Sequence, residues 1–284
     1  MTKLRSNFRK SRNLTLIGAL FTALFAIAPS AKAAGPGFNN LSQTDFDNAI
    51  REMSANSTYH SVSGASTLGT VFGFEFGVIA GLSNSPKINE LSKQVDSSAD
   101  ISRLPHGVLK IAASVPLGFT GEILFFPETT FSNIKYSQFG GSLKWTTSPA
   151  MLPFNLAVRG FVTGNKMSFD QTLQNASTGN VPTAVTVREE NSQLGLQFLA
   201  SPSLPFVEPY AGVGFVKANG KLAVSGTSTG TIFSFTNAQS AESAPTTVQY
   251  LLGVNVNLLI VNLGLEYMRA FDTDTYNAKI ALTF

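Results

Sequence analysis

The chain has 284 residues, no cysteine, 20 Lys+Arg against 17 Asp+Glu, and 13% charged beside 43% hydrophobic residues. A disulfide framework and any thiolate metal site are excluded. So few charges set the chain apart from ordinary soluble domains, which carry about 25%, while no apolar run after residue 33 reaches the ~20 residues of a spanning helix.

Residues 1–33 read as a secretory leader. Lys3, Arg5, Arg9, Lys10 and Arg12 form a basic region, an apolar run follows from Leu14 to Ala28, and Ala31-Lys32-Ala33 is a small-x-small cleavage site. Six of the basic residues lie in this leader, so the chain after Ala33 carries 14 Lys+Arg against 17 Asp+Glu. The basic balance belongs to the leader, and a nucleic-acid partner is not expected.

Residues 34–66 read as a short helix and a tether. Thr44 caps a helix with Asp47 three residues on, and Phe46, Ala49, Ile50 and Met53 recur at helical spacing over residues 45–53. So short a helix is not stable alone and has to pack on something. Residues 54–66 are small and polar.

From Thr67 the period changes to two, which predicts strands with one apolar and one polar face. In the first, Leu68, Phe72, Phe74, Phe76, Val78, Ala80 and Leu82 share one face and Gly69, Gly73, Glu75, Gly77 and Gly81 the other. Glycines gathered on one face predict close packing against it, and the helix is the nearest candidate. A polar connection with a short helix through Ile88, Leu91 and Val95 follows.

Further strands are expected over about residues 104–115, 117–126, 134–147, 154–168, 183–200, 206–215, 246–258, 260–270 and 275–284. Short turns at Pro116, Ser148, Pro202 and Leu259 fall on one side. The connections at Asn84, Pro127, Phe169, Ala223 and Phe271 fall on the other. Ten strands result, or twelve if residues 223–245, where Thr231, Phe233 and Phe235 alternate, form two more.

In the last strand Tyr276, Ala278, Ile280, Leu282 and Phe284 alternate with Asn277, Lys279, Ala281 and Thr283. An alternating strand ending on an aromatic residue, behind such a leader and with short turns on one side, resembles the Gram-negative outer-membrane β-barrels. The Pro-Tyr-Ala-Gly-Val-Gly-Phe run at 209–215 resembles strands of the small members. The resemblance implies an all-β fold: a transmembrane antiparallel up-and-down barrel over residues 67–284. It also implies an outer-membrane location, contact with outer-membrane lipids and lipopolysaccharide, and an assembly machinery that reads Tyr276, Ile280, Leu282 and Phe284. The N-terminal segment also resembles the plug of hydrophobic-substrate transporters of the fatty-acid type, without their Asn-Pro-Ala signature.

With this register Glu75, Lys110, Glu122, Arg159, Glu208, Tyr210, Glu266 and Lys279 face the lumen. Lys110 is expected opposite Glu122 and near Glu75, and Glu266 beside Lys279. Trp145, Tyr250, Tyr267 and Tyr276 are expected in interfacial girdles. His60 and His106 have no visible catalytic partner, and no metal-ligand spacing or phosphate loop occurs. The expectation is a non-enzyme without cofactor, a narrow barrel whose helix sits at the periplasmic mouth and which passes or binds small or hydrophobic solutes. A structural or adhesive surface barrel and an outer-membrane hydrolase are the alternatives.

Overall fold

In a computed structural model, residues 43–69, 71–95, 100–131, 134–149, 153–175, 181–228 and 236–284 are described. The leader and its cleavage site lie outside them. Helix α1 (Gln43–Ser57) comes first, followed by β1 (Gly73–Asn84), α2 (Pro86–Val95), β2 (Arg103–Val115), β3 (Phe119–Phe131) and β4 (Ile134–Thr147). Then come β5 (Phe154–Asn175), β6 (Val181–Pro202), β7 (Val207–Ser228), β8 (Thr236–Ser243), β9 (Thr246–Leu258), β10 (Val261–Ala270) and β11 (Thr273–Thr283).

Every pairing is antiparallel. The order β6-β5-β4-β3-β2-β1-β11-β10-β9-β7, with β6 also paired to β7, closes a ring of ten staves. Strand β8 adds no stave. It continues the line of β9 along β7, pairing with Gly220–Thr227 where β9 pairs with Val207–Lys217. Pro245 marks the break between them, because it has no amide for the ladder, and its carbonyl accepts from Ala218 N. Ten staves therefore form, and the expected loop at residues 223–245 is in part the long upper end of β7 and β8. Pro127 has a similar effect between β3 and β4, where the register shifts between Phe126 and Thr129.

Period-2 alternation sorts the side chains. Phe76, Ile111, Phe139, Leu143, Leu194, Phe215 and Leu265 point outward and are exposed, while Glu75, Lys110, Lys144, Arg159 and Gln197 point inward and are buried. An apolar outside and a polar inside is the inverse of a soluble barrel and is the pattern that lipid requires. No described helix is long and apolar enough to cross a membrane.

The staves have two unlike ends. One carries the tight turns at Pro116–Gly118, 203–206 and 259–260, together with the start of β1 and the end of β11. At the other, β5, β6 and β7 each run 22 residues, and α2 follows β1. Near that long-loop end Lys166, Glu190, Lys221 and Glu242 stand in one register row across β5, β6, β7 and β8. Ion pairs of 3.6 Å (Lys166–Glu190) and 3.1 Å (Lys221–Glu242) link them. All four are exposed, so this row lies at water rather than in hydrocarbon.

Several details differ from the sequence reading. Strand β1 starts at Gly73 rather than at Thr67, and α1 reaches Ser57 rather than Met53. The inward glycines of β1 do not receive the helix: a Cβ on Gly77 would meet Ala281, and one on Gly81 would meet His106 and Asn277. Two registers are shifted by two residues. Leu124, not Glu122, is opposite Lys110, and Asn277, not Lys279, is opposite Glu266. Turn geometry is the cause. Phe271 and Asp272, at φ 52° and 61°, make a two-residue hairpin that closes on Ala270 and Thr273.

Candidate functional site

The site is the lumen and the chain that fills it. Residues 54–65, read from the sequence as a tether, are buried apart from the half-buried Asn56. They run from the end of α1 down the barrel to the start of β1. The segment is small and polar because the wall around it is polar: every backbone group has to find a partner where water is displaced. Helix α1 itself lies at the long-loop end, contrary to the expected periplasmic mouth. Glu52 accepts from the backbone amides of Lys87 and Ile88 at 2.8 and 2.9 Å, which are the first amides of α2. Arg51 approaches Asp272, in the β10–β11 turn, at 3.5 Å. Burial raises the Glu52 carboxyl pKa, and the Ile88 and Lys87 amides offset part of the rise.

Below the helix, wall side chains take the plug backbone in turn. Gln193 Nε2 donates to Ser54 O at 2.8 Å and Gln138 Nε2 to Ser57 O at 2.9 Å. Lys110 Nζ donates to Ser61 O at 3.0 Å, and Arg159 Nη2 to Ser63 O and Oγ at 3.2 and 2.6 Å. Lys144 Nζ closes on Gly64 O and Ser66 O at 2.8 and 2.7 Å, and Thr146 Oγ1 donates to Ala65 O at 2.7 Å. At the short-turn end Glu208 accepts from Ser66 N at 2.9 Å. Val62, buried at φ 48°, fits because Gly264 faces it: a Cβ there would stand 2.7 Å from Val62 Cγ1.

The charges are paired through this arrangement. Glu75 lies between Lys110 at 2.8 Å and Lys279 at 3.2 Å. Glu122 has Arg159 at 3.5 Å and Lys110 at 3.9 Å. It also accepts from the plug hydroxyls of Ser61, Ser63 and Tyr59. Burial and the neighbouring Glu122 charge push the Tyr59 phenol well above its usual pKa, so it stays a donor. Tyr210 donates to Glu266 at 3.0 Å.

His60 of the plug stacks on His106 of β2, with ring centroids 4.4 Å apart and planes 15° from parallel. His60 Nε2 meets Asn56 O and its Nδ1 meets Asn277, while His106 meets Asn56 and Asn277. Desolvation, then the neighbouring His106, lowers the His60 pKa well below the ordinary value.

All eight lumen residues expected from parity turn inward, with Glu208 half-buried at one mouth. Glu75, Lys110, Glu122, Arg159 and Lys279 join in one ion-pair network, while Tyr210 donates to Glu266 and Glu208 binds Ser201 and Ser66. Lys279 finds Glu75 rather than Glu266. The reading missed Lys144, Gln138, Gln193 and Gln197. Parity places all four inward, but scoring charge pairs within the wall leaves out Lys144, Gln138 and Gln193, whose partner is the plug backbone, and the neutral Gln197, which links Arg159 to Gln249. Among the four expected girdle residues, Trp145, Tyr250 and Tyr276 are exposed on the outer face. Tyr267 packs on Tyr276 at 5.5 Å and donates to Asp274.

A closed antiparallel barrel with an apolar exterior and a charged, filled interior defines an outer-membrane β-barrel protein. Solved structures similar to the chain are of this class. The translocator domain of the autotransporter NalP from Neisseria meningitidis has 9% identity and TM-score 0.44, over 86% of this chain and 99% of that one. The outer-membrane protease OmpT from Escherichia coli has 10% identity and TM-score 0.41, over 77% and 100%. A major outer membrane protein from Thermus thermophilus has 14% and 0.32, over 74% and 99%. None superimposes closely enough to match residue to residue. The chain has no match among curated proteins. It belongs to the family of unknown function DUF6588, whose model matches residues 25–284.

Proposed function

We propose that the mature chain begins at Ala34, after a cleaved leader, and resides in the outer membrane as a plugged barrel that passes or binds small or hydrophobic solutes. Its surroundings are outer-membrane lipids and lipopolysaccharide, with the long-loop end outward. The observation that carries this reading is the plug: residues 54–65 occupy the lumen and are held by Lys110, Lys144 and Arg159. Ten staves enclose a narrow space in any case, since eight are just filled by side chains and open aqueous channels appear at about 16. Passage then requires displacement of the plug. At the helix end that movement has to part the exposed Arg51–Asp272 pair and the Glu52 bonds to α2.

Planar-bilayer recording of the mature protein tests this beside a version lacking residues 34–66. Little conductance from the first and clear openings from the second are expected. Large, stable channels from the intact chain would overturn the reading.

A non-enzymatic role is part of the proposal. Both imidazoles are buried and engaged with each other and with Asn56 and Asn277. Hydrolysis of lipid or peptide substrates that vanished in His106→Ala would refute it. An adhesive role draws support from one observation, the extension of β5, β6 and β7 beyond the Lys166–Glu190–Lys221–Glu242 row. Loss of cell attachment on removing residues 222–245 would favour that reading instead.

A further inference from the structure

Glu189 is a buried lumen carboxylate with no ion pair and a single hydrogen-bond donor among the described residues. It is 1% exposed, and that donor is Asn165 Nδ2, 2.7 Å from Oε2. The other lumen carboxylates are provided for. Glu75 has two lysines and Glu122 a lysine and an arginine. Glu266 has the Tyr210 hydroxyl, and Glu208 has Ser201 and a backbone amide. A buried carboxylate that is not paired is expected to hold a metal ion or to give up its charge.

Its neighbours supply oxygens rather than protons. Glu189, Asn191 and Gln193 succeed one another on the inner face of β6, and Asn165 is the register partner of Asn191 on β5. Same-face neighbours on a strand lie about 7 Å apart, which puts Glu189, Asn191 and the cross-strand Asn165 within side-chain reach of a common point, while Gln193 lies about 13 Å along the strand from Glu189. Glu189 Oε1, Asn165 Oδ1, Asn191 Oδ1 and Gln193 Oε1 are all buried without a hydrogen-bond partner.

The amide orientations are fixed by what their nitrogens meet. Asn165 Nδ2 faces a carboxylate, and Gln193 Nε2 faces the Ser54 carbonyl. Ser57 spends its hydroxyl proton on Met53 O, so it can only accept from Asn191 Nδ2 and Gln193 Nε2. The amide oxygens are therefore turned away from the donors around them. Glu189 Oε1, Asn165 Oδ1 and Asn191 Oδ1 thus stand at adjoining inner positions of β5 and β6 with no hydrogen-bond donor among the described residues.

We propose that Glu189, Asn165 and Asn191 form a binding site for a hard cation of the calcium class. Such ions take carboxylate and amide oxygens with waters completing the shell, and tolerate irregular geometry better than magnesium does. The absence of imidazole and thiolate from the set argues against zinc or copper. Glu189 is one residue from Glu190 in the exposed charged row, so the site lies level with water at the long-loop end. A bound ion also draws charge through the amide of Asn191, whose nitrogen donates to Ser54 and Ser57 in the C-terminal turn of α1. It thereby ties β6 more firmly to the plug.

Terbium luminescence on the full mature chain tests the site. The protein is refolded in detergent without lipopolysaccharide and treated with chelator. Excitation through tyrosine should give a saturable one-site signal that calcium competes away, with Glu189→Gln weakening binding at least tenfold. Asn165→Asp, which adds a second carboxylate, should tighten it by a similar factor and serves as the measure if Glu189→Gln does not fold. No saturable signal, or equal affinity in the folded variants and the parent, overturns the proposal.

Discussion

Lys279, on the last strand, donates to both carboxylate oxygens of Glu75, on the first, at 3.2 Å each. The ion pair crosses the β1–β11 seam that closes the barrel, and Lys110 of β2 braces Glu75 from the other side at 2.8 Å. Removing one partner of a buried pair costs about 3–5 kcal/mol, because the other charge stays buried. Glu75→Gln strands Lys279, leaves Lys110 with the more distant Glu122 and Ser61 O, and should fall in that range. Lys279→Met leaves Glu75 with Lys110 and should cost less. The temperature at which the folded electrophoretic form converts to the unfolded one measures both, and the reverse order would refute this account of the seam.

Lys144 is the strongest single tie on the lower plug, since its ammonium group serves two plug carbonyls, Gly64 O and Ser66 O. Lys144→Met keeps the bulk and removes the donors. Each abandoned carbonyl costs roughly 1–3 kcal/mol if it stays dry, a loss the plug escapes by leaving the lumen. Channel openings in bilayers should become frequent while the barrel's circular dichroism is unchanged.

Acid should loosen the plug through His60. Its pKa in the folded protein lies below the ordinary value of 6.5, with burial as the first cause and His106 as the second. The native state therefore binds fewer protons than the unfolded chain once pH drops to about 6.5. Stability is complete above that pH and declines by up to about 1.4 kcal/mol per pH unit beneath it. Glu52 works in the opposite direction, because its raised pKa favours the folded state on acidification. Openings should increase from pH 7 to pH 5 in the parent, and His60→Gln should remove most of that increase.

Helix α1 can be locked in place. A Cβ on Gly220 would lie 2.6 Å from Ile50 Cγ2, so Cβ atoms at the two positions come within the roughly 3.5–4.5 Å that a disulfide spans. The chain has no other cysteine. Ile50→Cys combined with Gly220→Cys should therefore close to a single bond. Under oxidation, openings recorded at low pH should disappear, and reduction should restore them.

Phe284 completes the seam by backbone as well as by its ring. Its amide donates to Phe74 O at 2.8 Å, and its carbonyl accepts from Phe74 N at 2.9 Å. Deleting Phe284 removes both bonds and the terminal aromatic residue. Delivery to the membrane should fall severalfold in fractionated cells, whereas strand content of the refolded protein should stay near the parent's.

Much of the lumen was legible in the sequence because the strand period is a local property. Once Leu109, Ile111 and Ala113 are turned outward, Lys110 and Ala112 have to face in, whatever their partners are. The same count would have yielded Lys144 and Gln193. What a strand-by-strand count cannot supply is the identity of the facing residue, since register is set by turn shape. The left-handed pair Phe271-Asp272 moves Glu266 from Lys279 to Asn277, and Lys279 then finds Glu75 across the seam.

The sequence by itself determined the all-β architecture, a barrel of ten or twelve staves, the inward charges and the existence of a helix with a face to bury. These follow from alternation, turn residues and amphipathic spacing, all of which act within a few residues. Only the tertiary structure decided where the helix lies, that residues 54–65 run through the barrel rather than tether it, and that Glu189 has no ion pair among the described residues. Those outcomes depend on the closure of the sheet. The plug is buried because a closed ring of donors and acceptors surrounds its polar groups and an apolar cluster that includes Phe161 takes Tyr59 and Val62, and no local pattern records that ring.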